Sequence, residues 1–176
     1  MMRLGIAIMA LLAAAVVGCR SELSNSTNQA TAASKGASRE FYLASNGDLS
    51  DRLIVEQGHT GGHKSVTNYV TVEANGKWKS ATLVQSDSEQ KYQEDGSGNL
   101  AKDQIAQLAK VLATNNLATL PSEQQDPVNQ AFIVIRFGEI KHHLYYDGQN
   151  KNLVHERYVA IAEGVRKIID KNQGKK

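Results

Sequence analysis

Two histidines flank a glycine pair in the segment QGHTGGHKS, residues 57–65. Imidazole is the side chain best suited to bind zinc or to exchange protons near neutral pH. His59 and His63 are four residues apart, a spacing that would place two zinc ligands on one face of a helix. Gly61 and Gly62 between them favour a loop instead. No Glu follows His59, so the helical metallopeptidase pattern is absent.

Three interpretations of this segment stay open. It is a metal site that takes a third ligand from His142 or His143, a binding loop whose glycines bring backbone amides close to a partner, or a plain connection with solvated histidines. His142 and His143 are neighbours in a predicted strand, so their side chains point to opposite faces and only one can join the others. The predicted binding loop comprises Gly58, His59, Thr60, Gly61, Gly62 and His63.

Catalytic patterns are missing from the rest of the chain. The serines at 65, 80, 86 and 122 lack the G-x-S-x-G setting of a nucleophile, and neither a phosphate-binding loop nor a dinucleotide fingerprint is present. Four carboxylates fall between residues 86 and 98, a polar segment that we interpret as a solvated surface loop: Asp87, Glu89, Glu94 and Asp95. We therefore expect no catalysis and no cofactor.

The N-terminus has the pattern of a targeting signal. Arg3 precedes an apolar run over residues 4–17, which has the length of a secretory signal and is too short to span a membrane. The run ends in Val16-Val17-Gly18-Cys19, and this resembles the lipobox of bacterial lipoproteins. The resemblance implies cleavage between Gly18 and Cys19, a diacylglycerol on the Cys19 sulfur and an acylated new amine. An ordinary signal peptide or a short buried helix are the alternatives.

This targeting signal implies a cell-envelope protein that is held at a membrane by its N-terminal lipid. In an organism that has an outer membrane, that membrane is the expected location. The chain contains one Cys, so a lipidated Cys19 leaves the exported part without a thiol or disulfide. We divide the chain into a signal peptide (1–18), a flexible tether (19–38), one domain (39–170) and a disordered basic tail (171–176). With 20 Lys and Arg against 18 Asp and Glu and no basic run, the chain is a poor candidate for a nucleic-acid binder.

Hydrophobic patterning predicts the elements that position these residues. Strands are expected over 52–57, where Gly58 ends the strand, over 66–73 and over 77–85, with an Asn-Gly hairpin between the last two. Ile105, Leu108 and Leu112 mark a helix, residues 131–137 and 140–146 form a strand pair, and a last helix spans about 153–170. Trp78 and Tyr69 are expected to pair across the Asn-Gly hairpin, and His155 to lie on the surface.

The expected fold is therefore α+β, with an antiparallel sheet of about five strands, a three-stranded meander plus a hairpin, and two helices packed on one face. The TGG loop and the helix that ends in LATLP, residues 117–121, are similar to emfourin-type inhibitors of thermolysin-like metallopeptidases. We predict a binding module for a protein partner. Inhibition of a secreted peptidase and metal binding by His59, His63 and His142 are the alternatives.

Overall fold

A computed structural model describes residues 37–61, 63–122, 130–146 and 153–174. Six strands form one antiparallel sheet in the order β4-β3-β2-β1-β5-β6. Two longer helices follow the fourth and the sixth strand. The bounds are β1 Leu53–His59, β2 Lys64–Val72, β3 Lys77–Ser86, β4 Gln90–Asn99, α1 Lys102–Thr114, β5 Ala131–Phe137, β6 Ile140–Tyr146 and α2 Leu153–Asn172. The α+β class is confirmed, whereas the expectation of about five strands is wrong by one.

The strand that sequence patterning missed is β4, which we had interpreted as a surface loop. Most of its side chains are exposed, so it lacks the apolar alternation of a half-buried strand. Its glycines resembled turn signals, but they make room for the Trp78 ring. A Cβ at Gly98 would lie 2.9 Å from the indole nitrogen of Trp78. Backbone pairing with β3 holds β4 in place.

The hairpin between β2 and β3 is confirmed. Gly76 has a φ of +84°, a conformation that favours glycine, and its N–H donates to the Glu73 carbonyl at 2.8 Å. The predicted end of β1 is wrong, because the strand does not end at Gly58 but continues through it to His59. The pairing of Gly58 with both Thr67 and Phe132 keeps it in the sheet.

One hydrophobic core cluster contains buried residues of the sheet and of both α1 and α2. Cross-strand register places the strand residues of this cluster on one face of the sheet. Along this face, β1 and β2 are buried at one end, at Leu53, Val55 and Val72, and exposed at the other, at Gln57, His59 and Asn68. The main core side chains are Leu53, Val55, Val72, Trp78, Ile105, Leu108, Leu112, Ile133, Ile135, Phe137, Leu144, Tyr158, Ile161, Val165 and Ile169.

Three further expectations change. Trp78 pairs with Val72 and Tyr69 with Ala81, so the two rings lie on opposite faces and do not pair. His155 is buried, with its ring 4.5 Å from that of Tyr146. The last helix extends past residue 170 to Asn172, because the Asn172 side chain bonds to the indole of Trp78. Among the described residues, no helix is long and apolar enough to cross a membrane.

Candidate functional site

The predicted binding loop connects β1 to β2 and is held from two sides. The Thr60 N–H donates to the Gln130 carbonyl at 2.8 Å, and Gly61 adopts a φ of +92°. The Nδ1 atom of His63 lies 2.8 Å from Asp87 Oδ2, in the turn between β3 and β4, and both side chains are largely exposed. Gly62 lies outside the described residues. The hairpin tips therefore gather at one end of the sheet.

Gly58 has a structural explanation of its own. A Cβ at this position would lie 2.6 Å from the Val66 carbonyl oxygen and 2.9 Å from the end of the Phe132 ring. The glycine therefore lets the Phe132 ring lie against the backbone of β1. Its presence in the QGHTGGHKS segment needs no partner to account for it.

The histidines that we considered as metal ligands lie apart. His142 pairs with Ile135 on the core-facing side of the sheet, and His143 pairs with Val134 on the opposite side, as strand alternation predicts. His59 is exposed near the hairpin end of β1, and His63 faces Asp87. Within the described parts of the chain, no group of three His, Cys, Asp or Glu side chains is close enough to hold a metal ion.

Burial lowers the pKa of both β6 histidines. For His142, desolvation is the main cause and a hydrogen bond with the Leu117 backbone opposes it. The Nε2 atom of His142 is removed from solvent and has no hydrogen-bond partner among the described residues. For His143, desolvation is reinforced by the nearby charges of Lys141 and Arg136. Both rings therefore favour the neutral form, which packs against the sheet without carrying charge.

A cleft lies elsewhere, between α2 and the outer strands of the sheet. Helix α2 begins beside β6, where His155 contacts Tyr146, and ends beside β3 and β4, where Asn172 bonds to Trp78 and to the Asn99 carbonyl. The helix thus crosses the sheet diagonally and leaves the hairpin-end corner of β2, β3 and β4 uncovered. The cleft beside it has a volume of about 580 Å³, within the range typical of ligand sites.

The cleft has an apolar floor and polar walls. Residues of the core form the floor, and the sheet and helix each supply a wall of hydrogen-bonding side chains. On the helix wall, Arg166 pairs with Asp170 at 3.5 Å, and the buried Oε1 of Gln173 has no donor within the described residues. The floor comprises Val55, Val70, Ala162 and Ile169, and the sheet wall Gln57, Asn68, Gln93 and Asp95.

A β-bulge places the most distinctive side chain of the sheet wall. Ser80 pairs with Gly96 and Ala81 with Glu94, so Asp95 is an extra residue on β4. The Thr82 hydroxyl donates to Asp95 Oδ2 at 2.6 Å and lies 3.1 Å from the side-chain oxygen of Asn68. Bulges commonly re-aim one side chain at a functional position. Here the bulge completes a polar row across β2, β3 and β4.

The uncovered corner of β2, β3 and β4 extends to the predicted binding loop. Gln57, Asn68 and Thr82 are adjacent across β1, β2 and β3, and the next row on the same face is His59, Val66 and Val84. Val66 is 37% exposed, so this row adds an apolar margin to the cleft. Of the predicted site residues on this face, His59 therefore lies closest to the cleft in register. Sequence reasoning missed Asn68, Thr82 and Asp95, because the bulge that aligns them depends on the unpredicted β4.

No protein-family model matches this chain, and no curated protein is significantly similar to it. Residues 1–36, which include Gly18 and Cys19, lie outside the described residues. The predicted lipidation therefore stays a prediction from sequence.

Proposed function

We propose that this chain is a lipid-anchored cell-envelope protein that acts by binding a partner in the cleft beside α2. The observation that carries the proposal is the orphan acceptor in that cleft, Gln173 Oε1, which is buried without a donor in the described structure. An unsatisfied buried carbonyl costs about 1–3 kcal/mol. If the Gln173 amide turns toward the cleft, an occupant that supplies an N–H or O–H to this oxygen recovers part of that free energy.

The surroundings of the cleft support binding by the same reasoning. Val70 provides apolar area for a partner to bury above the closed floor of Val55 and Ile169, while Asn68 and Asp95 provide directional hydrogen bonds. Pockets that combine an apolar floor with a few convergent polar groups are the usual binding sites of proteins. The corner next to the cleft, including His59 and Val66, extends the surface toward the hairpin loop.

The anchoring part of the proposal rests on the sequence at Val16-Val17-Gly18-Cys19 and on the polar tether that follows it. Several acyl chains hold a protein at a bilayer firmly, at about 0.8 kcal/mol for each buried methylene. The intact mass of the membrane-extracted protein tests this directly. A chain that begins at Cys19 with acyl mass on it is expected, and a chain that begins elsewhere or lacks that mass would contradict the anchoring.

The binding site is tested by photo-crosslinking in cells that produce the full chain. A photoreactive residue replaces Gln57, which is exposed and lines the cleft, or Lys141, which is exposed on the other face of the sheet. We expect an adduct from position 57 that position 141 does not give. Asn68→Trp, which places a ring in the cleft, should abolish the adduct, whereas Lys141→Trp should not.

Each outcome decides the proposal. Equal adducts from both positions, no adduct from position 57, or an adduct that persists with Asn68→Trp would rule out the cleft as the binding site. The identity of the captured partner then separates two functions, because an adduct with a secreted peptidase would favour the inhibitor hypothesis over a general binding module.

A further inference from the structure

The face of the sheet opposite the cleft carries a patch of tyrosines and cations. Register places Tyr69 opposite Ala81, Thr71 opposite Lys79, and Leu83 opposite Tyr92. These pairs alternate with Val70 and Ser80, which line the cleft on the other face. We call the following residues the basic patch, and together they line a depression of about 380 Å³: Arg52, Tyr69, Thr71, Glu73, Lys77, Lys79 and Tyr92.

The basic patch holds an excess of positive charge. Arg52 is paired with Glu73 at 3.3 Å, and both side chains are about half exposed. Lys77 and Lys79 have no ion pair within the described residues. The patch therefore carries three cations and one carboxylate, and Glu94, which pairs with Ala81 on the same face, lowers the local excess to one positive charge. The excess is local, so it favours an anionic partner on this face.

Tyr69 and Tyr92 indicate which kind of anionic partner the basic patch binds. Tyr92 is 65% exposed, an unusual position for a large aromatic ring that has no partner to cover it. Burial raises the pKa of Tyr69, and the nearby carboxylate of Glu56 raises it further, so its hydroxyl stays protonated and able to donate. Tyrosine is enriched where an apolar phase meets water, and lysine beside it adds attraction to anionic headgroups.

We propose that the basic patch docks on the surface of an anionic phospholipid bilayer. The expected tether of about 20 residues gives this contact its advantage, since such a chain has a root-mean-square span of roughly 25 Å. A weak surface contact is then made by a domain already held nearby, at an effective concentration in the millimolar range. Docking through the patch leaves the cleft, on the opposite face, open to its partner.

Co-sedimentation with vesicles tests the docking without the lipid anchor. The mature chain, residues 19–176, keeps every described residue, and Cys19→Ser removes the site of acylation. We expect at least tenfold stronger partitioning onto vesicles of 70% phosphatidylcholine and 30% phosphatidylglycerol than onto pure phosphatidylcholine. Added salt should weaken it, because screening shortens the reach of exposed charges.

Matched lysine substitutions locate the contact. Each lysine near an anionic surface is worth about 1 kcal/mol, about fivefold in partitioning, so Lys77→Gln with Lys79→Gln should reduce it about 25-fold. Lys91→Gln removes one such charge from an exposed residue of the opposite face, since Lys91 pairs with Val84, and should change partitioning less than twofold, against about fivefold for Lys77→Gln alone. Tyr92→Ser tests the tyrosine contribution and should also weaken binding.

Three results would overturn the proposal. They are equal partitioning onto charged and neutral vesicles, an equal loss with Lys91→Gln, and binding of a soluble polyanion such as heparin with the same patch dependence and greater strength than the vesicles. The last result would assign the patch to an anionic polymer. Fluorescence of Trp78, buried on the core side, verifies that each variant is folded.

Discussion

One side chain near the C-terminus joins three parts of the fold, and its removal should destabilise the domain measurably. The Asn172 Oδ1 atom accepts the indole N–H of Trp78 at 2.9 Å. Its Nδ2 donates to the Asn99 carbonyl and to Gln104 Oε1, each at 3.0 Å. Asn172→Leu removes these three hydrogen bonds while raising intrinsic helix propensity. A measured loss of stability therefore cannot come from the local helix preference.

The expected loss of folding free energy follows from the burial of the Trp78 indole. Trp78 is 1% exposed, so its indole N–H would lose its partner in a place that water does not reach, at a cost of about 1–3 kcal/mol. The Asn99 and Gln104 bonds are more accessible and add about 1 kcal/mol together. We expect Asn172→Leu to lower the free energy of unfolding by about 2–4 kcal/mol. For a domain of this size, the midpoint of thermal unfolding should fall by about 8–14 °C.

The assay is thermal and urea unfolding followed by fluorescence and circular dichroism, with Lys171→Leu as the neighbouring exposed control. The protein has a single Trp, so fluorescence reports on the affected indole itself. In a Trp78→Phe background, where no indole donor exists, the cost of Asn172→Leu should shrink to about 1 kcal/mol. A full-sized loss in that background, or a loss below about 0.5 kcal/mol in the natural chain, would refute the role assigned to this contact.

Three further substitutions or conditions test other parts of the structure. Gly58→Ala should destabilise the domain by about 1–3 kcal/mol in urea unfolding, because a Cβ meets the Val66 backbone and the Phe132 ring; an unchanged midpoint would show that β1 shifts freely. His63→Ala should leave the unfolding midpoint unchanged, since its contact with Asp87 is exposed, and a clear drop would show that the loop depends on it. Because folding lowers the pKa of His142, the unfolded chain binds more protons below its unperturbed pKa of about 6.5. Stability should be full above that pH and fall as pH decreases below it, and His142→Gln should flatten this dependence in urea titrations across pH 5–8.

The elements that follow local rules were predictable from sequence. Strand β2, the Asn-Gly turn after it and the apolar stripe of α2 depend on neighbours in the chain, and all three are confirmed, although Thr67 of β2 is buried and Val66 exposed, against the predicted alternation. No side chain among the described residues caps the N-terminal position of α1. Ala101 stands at that position, and its N–H donates to the Gln104 side chain at 2.9 Å.

The features that depend on packing partners rather than on a hydrophobic pattern were not predictable. Strand β4 consists of exposed polar residues and glycines, and only the preceding strand determines that it pairs. The buried environment of His155 comes from Tyr146 on another element. The candidate cleft combines both difficulties, since it requires the bulge at Asp95 and the diagonal course of α2. No local pattern encodes where a helix crosses a sheet.

The bulged strand β4 also affects whether neighbouring copies of the domain can pair edge to edge. Proteins tethered to one surface meet each other far more often than proteins free in solution, and an open sheet edge is then a template for chain-to-chain polymerisation. The outer edge here is formed by β4, whose Lys91, Glu94 and Asp95 charges and irregular backbone make it a poor template. At the other edge, the Ser122 hydroxyl accepts the His143 N–H at 2.9 Å and occupies one of the free backbone groups. Both edges therefore discourage stacking between neighbouring molecules, as the proposed membrane anchoring would require.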